Sequence, residues 1–283
     1  MIGLPLLVDG SMFYYLITTF DMSFSFNHLG NHGHLGNQMF QYAALVGLSI
    51  KHNRPFCIPH EGVFGKHYYT ELRSNIYDAF DINPIKGISS YPTVNEPSFE
   101  FNQAFFENPP AQNINLLGFY QSEKWFAHAS ALVRKEFTFK QQYREIAEEM
   151  RKHLSGDVVS LHVRRTDYVN NANHDCVGLD YYEEALKLVP EDTKVIIFTD
   201  DPEWAKAQEL FPDDRFFVSE TNCPYTDMCL MTLCDYHIVA NSSYSWWGAW
   251  LSNSKKVITP KTWFGPGLNH NTKDIYCDGW VIV

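Results

Sequence analysis

The chain has 283 residues, of which 45% are hydrophobic and 19% charged, a composition that suits a folded globular protein and argues against general disorder. Its formal net charge of −11 argues against broad electrostatic attraction to nucleic acid or to anionic lipid. Six scattered cysteines without a C-x-x-C pair indicate neither a zinc site nor a disulfide framework, and they favour reduced thiols in a cytoplasmic protein.

Residues 1–21 are predicted to be an N-terminal extension. The segment is fairly apolar, but it lacks a basic flank and is interrupted by Pro5, Asp9 and Gly10. These features disfavour a signal peptide or a membrane-spanning helix. We therefore expect a peripheral extension, with association with a membrane surface as the alternative.

Residues 22–155 are predicted to form a first α/β lobe. The alternating run from Met22 to Phe26 indicates a strand, and a glycine-rich loop leads from it into an amphipathic helix. A short strand around Phe56 and Ile58 would complete a βαβ unit.

The middle of the chain is less regular. From about 61 to 115 the aromatic, proline and asparagine content predicts loops and short helices rather than regular sheet. A strand over 116–120 would close the first lobe, and a charged helix from Gln141 to His153 would lead to the second.

Residues 156–283 are predicted to form a second lobe with repeated α/β alternation and hence a parallel sheet. Asp157–Val163 and Lys194–Phe198 are typical of buried strands, and Asp180 could cap a helix between them. Further elements are predicted as a helix after Pro202, a helix over 228–233, a strand over 236–240, a helix over 244–251 and a strand over 256–259.

The stretch His162-Val163-Arg164-Arg165-Thr166-Asp167-Tyr168 lies where a buried strand opens into a loop, the edge at which parallel sheets bind ligands. Because side chains alternate across a strand, His162 and Arg164 are expected on one face and Arg165 on the other. A guanidinium can donate two parallel hydrogen bonds to a phosphate, so we expect Arg164 to stabilise a leaving diphosphate. The alternative is that both arginines pair with Asp167 and neighbouring acids, which fits Arg165 better.

Asp200-Asp201-Pro202 follows another predicted strand, and two adjacent carboxylates suggest a metal site. Proline at the first helical position after an aspartate is, however, a favoured helix start. We therefore expect Asp201 to cap a helix, Asp200 to have a supporting role in the second lobe, and no metal to be bound.

The stretch from His162 to Tyr168 resembles the H-x-R-R-x-D signature of α-1,2-, α-1,6- and protein O-fucosyltransferases. Three other stretches agree in order with that superfamily, and the first and last resemble the bacterial-type α-1,2 group of glycosyltransferase family 11. These stretches are Leu35–Ala43, Phe198–Pro202 and Asp227–Trp250. On these motifs the chain is identified as a member of the α-1,2-fucosyltransferase family.

The resemblance implies an α/β fold of the GT-B-like type, in which two Rossmann-like lobes with parallel sheets face a cleft. It implies that residues 156–283 hold most of the donor GDP-fucose and that residues 22–155 hold most of an oligosaccharide acceptor. In the family, the position matching Arg164 binds the β-phosphate of the donor, and the position matching His162 lies by the nucleotide.

The loop before the first long helix is a second candidate for donor binding. Backbone N–H groups and the helix dipole favour an anion there, so Gly36, Asn37 and Gln38 can contact the diphosphate from across the cleft. An ordinary turn that requires glycine is the alternative. The usual Gly-Gly-Leu-Gly-Asn-Gln of the family reads Gly33-His34-Leu35-Gly36-Asn37-Gln38 here, a departure at His34.

Three further residues are candidates for nucleotide binding. In the related fucosyltransferases an acid matching Asp227 accepts hydrogen bonds from guanine, and a helix N-cap is its alternative role. Ser242 and Ser243 follow a predicted strand directly, where phosphate binding is plausible and N-capping is the alternative.

The family chemistry implied is transfer of L-fucose from GDP-β-L-fucose to the 2-hydroxyl of an acceptor galactose, with inversion. A general base must take the acceptor proton, and His174 and Asp175, in the loop after the arginine motif, are candidates. One alternative is fucosylation of a different acceptor, because related branches share the donor-site residues. Another is a noncatalytic glycan-binding protein, which the 16% aromatic content suggests.

Overall fold

The computed structural model describes residues 2–3, 15–16, 23–61, 75–212 and 214–283. At the N-terminus, β1 (Ile2–Gly3) and β2 (Tyr15–Leu16) pair antiparallel. The rest of the predicted extension, residues 1–21, lies outside the described residues. In the part of the chain that the structure describes, no helix is long and apolar enough to cross a membrane.

A five-stranded parallel sheet lies within residues 22–155, with the strand order β5-β4-β3-β7-β6. Its strands are β3 (Phe24–Ser25), β4 (Phe56–Ile58), β5 (Ile85–Lys86), β6 (Thr93–Asn95) and β7 (Ile114–Leu117). The prediction of loops and short helices over 61–115 is therefore wrong for β5, β6 and the start of β7. Strands of two to four residues are too short for a period of two to show in the sequence.

The first long helix, α1 (Leu35–His52), packs against β3 and β4. It ends at Asn53, which has a left-handed conformation with φ of 48°. The helix begins earlier than the sequence predicted, so Gly36, Asn37 and Gln38 form its first turn rather than the preceding loop. His34, the N-cap, has φ of −79° and an extended backbone, a conformation that does not require glycine.

Within the described residues of the first half, the shorter α-helices are α2 (Ile76–Ala79), α3 (Gln103–Glu107), α4 (Ser130–Glu136) and α5 (Gln141–Lys152). The last of them confirms the predicted connection to the second lobe. Arg151 near its end forms an ion pair of 2.9 Å with Asp235 in the second lobe.

A six-stranded parallel sheet lies within residues 156–283, with the strand order β10-β9-β8-β11-β12-β13. Its strands are β8 (Val158–Val163), β9 (Lys194–Thr199), β10 (Phe216–Val218), β11 (Tyr236–Ile238), β12 (Lys256–Thr259) and β13 (Val281–Ile282). β8 is buried along its whole length, which explains its nearly continuous apolar sequence.

The helices of this half are α6 (Leu179–Leu186), α7 (Pro202–Lys206), α8 (Pro224–Thr232) and α9 (Ser243–Leu251). Asp180 does not cap α6, because the N-cap is Gly178 and Asp180 is already helical. The predicted helices over 228–233 and 244–251 are confirmed, although α8 begins earlier, at Pro224.

Helices α1 and α9 join the two lobes through one hydrophobic core. The ring of Phe40 lies 4.4 Å from that of Trp246 and 5.0 Å from that of Trp247, centroid to centroid. Trp247 also donates a hydrogen bond of 3.0 Å to the carbonyl of Gly36. Because each helix begins beyond the carboxyl end of a strand, the ligand-binding edges of the two sheets face each other.

Candidate functional site

The carboxyl end of β8 presents the first candidate residues. His162 is 5% exposed, and its Nδ1 lies 2.9 Å from Oγ of Ser245 in the first turn of α9. Its own carbonyl accepts a hydrogen bond of 3.0 Å from the Tyr182 hydroxyl. Burial lowers the pKa of His162 to about 3, so the imidazole is neutral at physiological pH. This side chain can orient neighbouring groups, but because it is neutral it contributes no positive charge to the binding of a phosphate.

Arg164 follows at the end of the strand. Its Nη2 lies 2.6 Å from Oδ1 of Asp167, and its Nη1 lies 2.9 Å from Oδ2 of Asp200. The side chain is 25% exposed, and its guanidinium lies 5.5 Å from the centre of the Tyr168 ring. Arg164 is therefore accessible at the strand end and held there by two acids. The alternative of pairing with Asp167 and neighbouring acids is confirmed for Arg164, and the expectation that it would fit Arg165 better is wrong, because among the described residues Arg165 pairs with Asp201 alone.

Asp200 organises this end of the sheet. Its Oδ1 accepts the backbone N–H of Arg165 at 2.8 Å, and its Oδ2 accepts the Thr166 hydroxyl at 2.6 Å. Burial by itself would raise the pKa of Asp200, but the Arg164 guanidinium and these two donors keep it below its ordinary value. The carboxylate is thus ionised and supports Arg164, the supporting role that the sequence predicted for it.

Arg165 has different partners. Its Nε lies 3.1 Å from Oδ2 of Asp201, and its guanidinium lies 4.1 Å from the centre of the Trp204 ring. Asp201 in turn accepts the backbone N–H of Trp204 at 3.2 Å and caps α7, which begins at Pro202. The predicted cap is confirmed, and the two arginines occupy different surroundings, as strand alternation predicted.

The first turns of α1 and α9 meet between the lobes. A Cβ atom at Gly36 would lie 2.5 Å from the carbonyl carbon of Ser243 and 2.6 Å from its Oγ, so only glycine fits there. Ser242 is the N-cap of α9, with its Oγ accepting the N–H of Tyr244 at 3.4 Å. The N-capping alternative therefore holds for Ser242, while Ser243 lies directly against Gly36. Contact of these residues with a phosphate stays a prediction.

Asn37 and Gln38 point in different directions. Oδ1 of Asn37 accepts a hydrogen bond of 2.6 Å from Nε2 of Gln121, a residue of the loop after β7. Gln38 is 1% exposed, and its side chain donates to the carbonyl of Gly33 and accepts from the N–H of Ile76. The Gln38 side chain thus stabilises the surrounding backbone. Its burial and these two hydrogen bonds do not support a contact of the side chain with the donor substrate GDP-fucose.

Asp227 lies inside α8 rather than at its start, so its predicted alternative as an N-cap is wrong. Oδ1 accepts the hydroxyls of Ser219 at 2.5 Å and Thr221 at 2.7 Å. Burial raises the pKa of Asp227 although both hydroxyls oppose the shift. The Tyr244 hydroxyl donates a hydrogen bond to the carbonyl of Pro224 in the first turn of α8, and the Tyr244 ring lies 5.5 Å from the imidazole of His162, centroid to centroid. Recognition of guanine by Asp227 stays a prediction.

The two candidate bases differ in their surroundings. His174 stacks on Tyr168 with ring centres 4.8 Å apart, and burial lowers its pKa. Asp175 is exposed, and its backbone carbonyl accepts a hydrogen bond of 2.9 Å from Asn241. Both residues belong to the same lobe as Arg164.

Asn241 is a structural residue that the sequence did not single out. Its Nδ2 donates to the carbonyls of Asp175 and Trp263, and its own carbonyl accepts the Tyr168 hydroxyl at 3.3 Å. The side chain is 3% exposed. It therefore anchors the loop with the candidate bases to the end of β11. The only signal for this role in the sequence was the position of Asn241 at the end of a predicted strand, just before Ser242.

Residues 17–283 match the family model described as glycosyl transferase family 11. An alpha-1,2-colitosyltransferase from Escherichia coli is 31% identical over 265 residues, which cover 82% of this chain and 90% of that protein. A galactoside alpha-(1,2)-fucosyltransferase 2 from Oryctolagus cuniculus is 24% identical over 245 residues, which cover 80% of this chain and 66% of that protein.

Two solved structures share the fold. Fucosyltransferase NodZ from Bradyrhizobium has a TM-score of 0.52 at 16% identity, covering 82% of this chain and 94% of that chain. POFUT1 in complex with GDP-fucose has a TM-score of 0.51 at 12% identity, with the same two coverages of 82% and 94%.

Two parallel α/β lobes whose carboxyl edges face one cleft define a GT-B-like glycosyltransferase fold, as the sequence predicted. The chain belongs to glycosyl transferase family 11, which confirms the family that its motifs indicated.

Proposed function

We propose that this protein transfers L-fucose from GDP-β-L-fucose to the 2-hydroxyl of a galactose-terminated glycan, with inversion and without a metal ion. The family and the names of its relatives support an α-1,2 glycosyl transfer. The observation that carries the proposal is the partly exposed Arg164 at the end of β8, in a lobe whose α9 contacts the first turn of α1.

Arg164 can bind a diphosphate without losing its support. A guanidinium has five N–H donors in a fixed plane, so it can keep Asp200 and donate to a phosphate at the same time. Asp167 is 46% exposed and Asp200 only 20%, so Asp167 is the partner that a phosphate can displace. The positive charge then stabilises the negative charge that grows on GDP as the bond to the sugar breaks.

Inversion requires one displacement, in which the acceptor oxygen attacks the anomeric carbon from the face opposite GDP. The acceptor hydroxyl must lose its proton to a base during this step. On the donor side of the cleft, His174 and Asp175 are the candidates. Burial keeps His174 neutral at physiological pH, a state in which it can accept a proton.

Transfer of colitose is the second candidate activity, because a colitosyltransferase is 31% identical to this chain. The same site would act on a GDP-linked sugar with the same leaving group. Parallel assays with GDP-fucose and GDP-colitose on lactose, N-acetyllactosamine and type 1 chains, followed by linkage analysis, identify both the donor and the bond formed. A protein that binds glycans but neither binds GDP nor turns over either donor would contradict the proposal.

The role of Arg164 is tested by Arg164→Ala, with Arg165→Ala as the matched control. We expect Arg164→Ala to lower kcat by about 10²- to 10³-fold, the cost of losing a charge-stabilising donor, and to lower the melting temperature as well, because Asp167 and Asp200 lose their ion pair. Arg165→Ala removes the ion pair with Asp201 and the stacking on Trp204, so it should lower stability more than turnover. Near-normal turnover by a well-folded Arg164→Ala protein would refute the role.

A further inference from the structure

Glu96 is a half-buried carboxylate just beyond the carboxyl end of β6, on the lobe opposite Arg164. Its Oε2 accepts the backbone N–H of Phe119 at 2.8 Å, and its Oε1 accepts the backbone N–H of Tyr120 at 3.0 Å. A carboxylate oxygen can accept two hydrogen bonds, so each oxygen retains capacity for a second donor. Among the described residues, no cation offsets its charge.

The backbone around this carboxylate is shaped to hold it. A Cβ atom at Gly118 would lie 2.4 Å from Cβ and 2.6 Å from Oε2 of Glu96, so a side chain at that position would displace the carboxylate. Tyr120 has φ of 54°, the left-handed conformation that residues other than glycine rarely adopt. Strained backbone of this kind persists where the surrounding structure requires it, often at functional sites.

The loop that holds Glu96 is connected to the cleft. Nε2 of Gln121 donates to Oδ1 of Asn37 at 2.6 Å, and Nε2 of Gln41 donates to the carbonyl of Gly118 at 3.2 Å. Asn37 is in the first turn of α1, next to Gly36, which touches α9 of the other lobe. The loop that holds the carboxylate is therefore hydrogen-bonded to α1, whose first turn borders the cleft.

The proton affinity of Glu96 suits transfer near neutral pH. Burial raises the pKa of Glu96 to about 7, although the N–H groups of Phe119 and Tyr120 lower it. The phenol of Tyr120 interacts with the carboxylate. Burial and this negative charge raise the pKa of Tyr120 well above its ordinary value, so the phenol stays neutral. The ring of His32 stacks on that of Phe119, with ring centres 4.4 Å apart. A base with a pKa near the working pH is the most effective one.

We propose that Glu96 is the catalytic base that takes the proton of the acceptor hydroxyl. This inference rests on the proposed function and on the expectation from the family resemblance that residues 22–155 hold most of the acceptor. As the acceptor oxygen bonds to the anomeric carbon, its proton passes to a Glu96 oxygen, and the bond from that carbon to the diphosphate breaks with its electrons leaving on GDP. The proton on Glu96 then passes to water.

The test is the dependence of kcat/KM for the acceptor on pH, at saturating GDP-sugar, for the unmodified protein and for Glu96→Gln. We expect the unmodified protein to lose activity as pH falls through about 7, because protonated Glu96 cannot act as a base. Glu96→Gln should be slower by about 10²- to 10⁴-fold, show no such acid limb, and keep its affinity for GDP within about threefold.

Glu107→Gln is the matched control, since Glu107 belongs to the same lobe but pairs with Lys51 near the opposite end of α1. It should retain the rate and the pH profile of the unmodified protein. Glu96 has only a structural role if Glu96→Gln keeps the acid limb and changes KM or the melting temperature instead.

If Glu96→Gln fails to fold, loss of the acid limb in His174→Gln overturns the inference, because the limb then belongs to His174 rather than to Glu96. Absence of any sugar transfer by the unmodified protein would instead refute the proposed function itself. The two failures are thus distinguishable.

Discussion

Replacing Gly36 by alanine tests whether the contact between α1 and α9 sets the geometry of the cleft. The new Cβ would lie 2.5 Å from the carbonyl carbon of Ser243, whereas ordinary contacts are 3.4 to 4 Å, so the two helices must separate by about 1 Å. Overpacking of this kind costs about 1 to 3 kcal/mol. A displacement of about 1 Å between reacting groups held by different lobes can cost about 10²-fold in rate.

The assay compares the melting temperature and the kcat of Gly36→Ala with those of the unmodified protein. We expect the melting temperature to fall by about 2 to 10 °C and kcat by about 10²-fold. Gly87→Ala is the control, because a Cβ there would meet no atom within 4 Å. If Gly36→Ala matches the control in both measurements, the contact does not determine the alignment of the lobes.

Three further predictions concern charge and metal. Because folding raises the pKa of Glu96 from 4.5 to about 7, the folded protein binds this proton more tightly than the unfolded chain, and stability should fall as pH rises from about 5 to 7.5. The denaturant midpoint of Glu96→Gln should fall less over this pH range than that of the unmodified protein. An equal pH dependence of the two midpoints would contradict the prediction. Asp227→Asn should weaken GDP binding by about 10- to 100-fold in calorimetry, since a charged acceptor for the guanine donors is lost, and unchanged affinity would exclude guanine recognition by this residue. Chelation of divalent metal should leave turnover unchanged, and complete loss would refute the metal-independent mechanism.

Local patterns predicted the parts of the fold that depend on neighbours in sequence. β8 and β9 are long and buried on both faces, so their apolar runs were visible, and the Asp201-Pro202 pair correctly marked the start of α7. The short strands β5 and β6 were missed, because two or three residues carry no measurable period.

In the candidate site, too, local features were predictable from the sequence and long-range contacts were not. The motif around Arg164 was visible because a strand end, alternation and a charged pair are local features. Its pairing with Asp200 joins the ends of two strands, and the contact of Gly36 with Ser243 joins the two lobes. Glu96 lay in the segment predicted to be irregular, and the N–H groups of Phe119 and Tyr120 that its carboxylate accepts are more than 20 positions further along the chain.

The sequence by itself determined the family, the alternation of strands and helices in the second lobe, and the arginine motif at the end of a buried strand. The tertiary structure decided which side chains meet, because contacts between α1 and α9 and between β6 and the loop after β7 join residues that are distant along the chain. It also decided the protonation of His162 and Glu96, since a pKa depends on burial and on partners that no local pattern reveals.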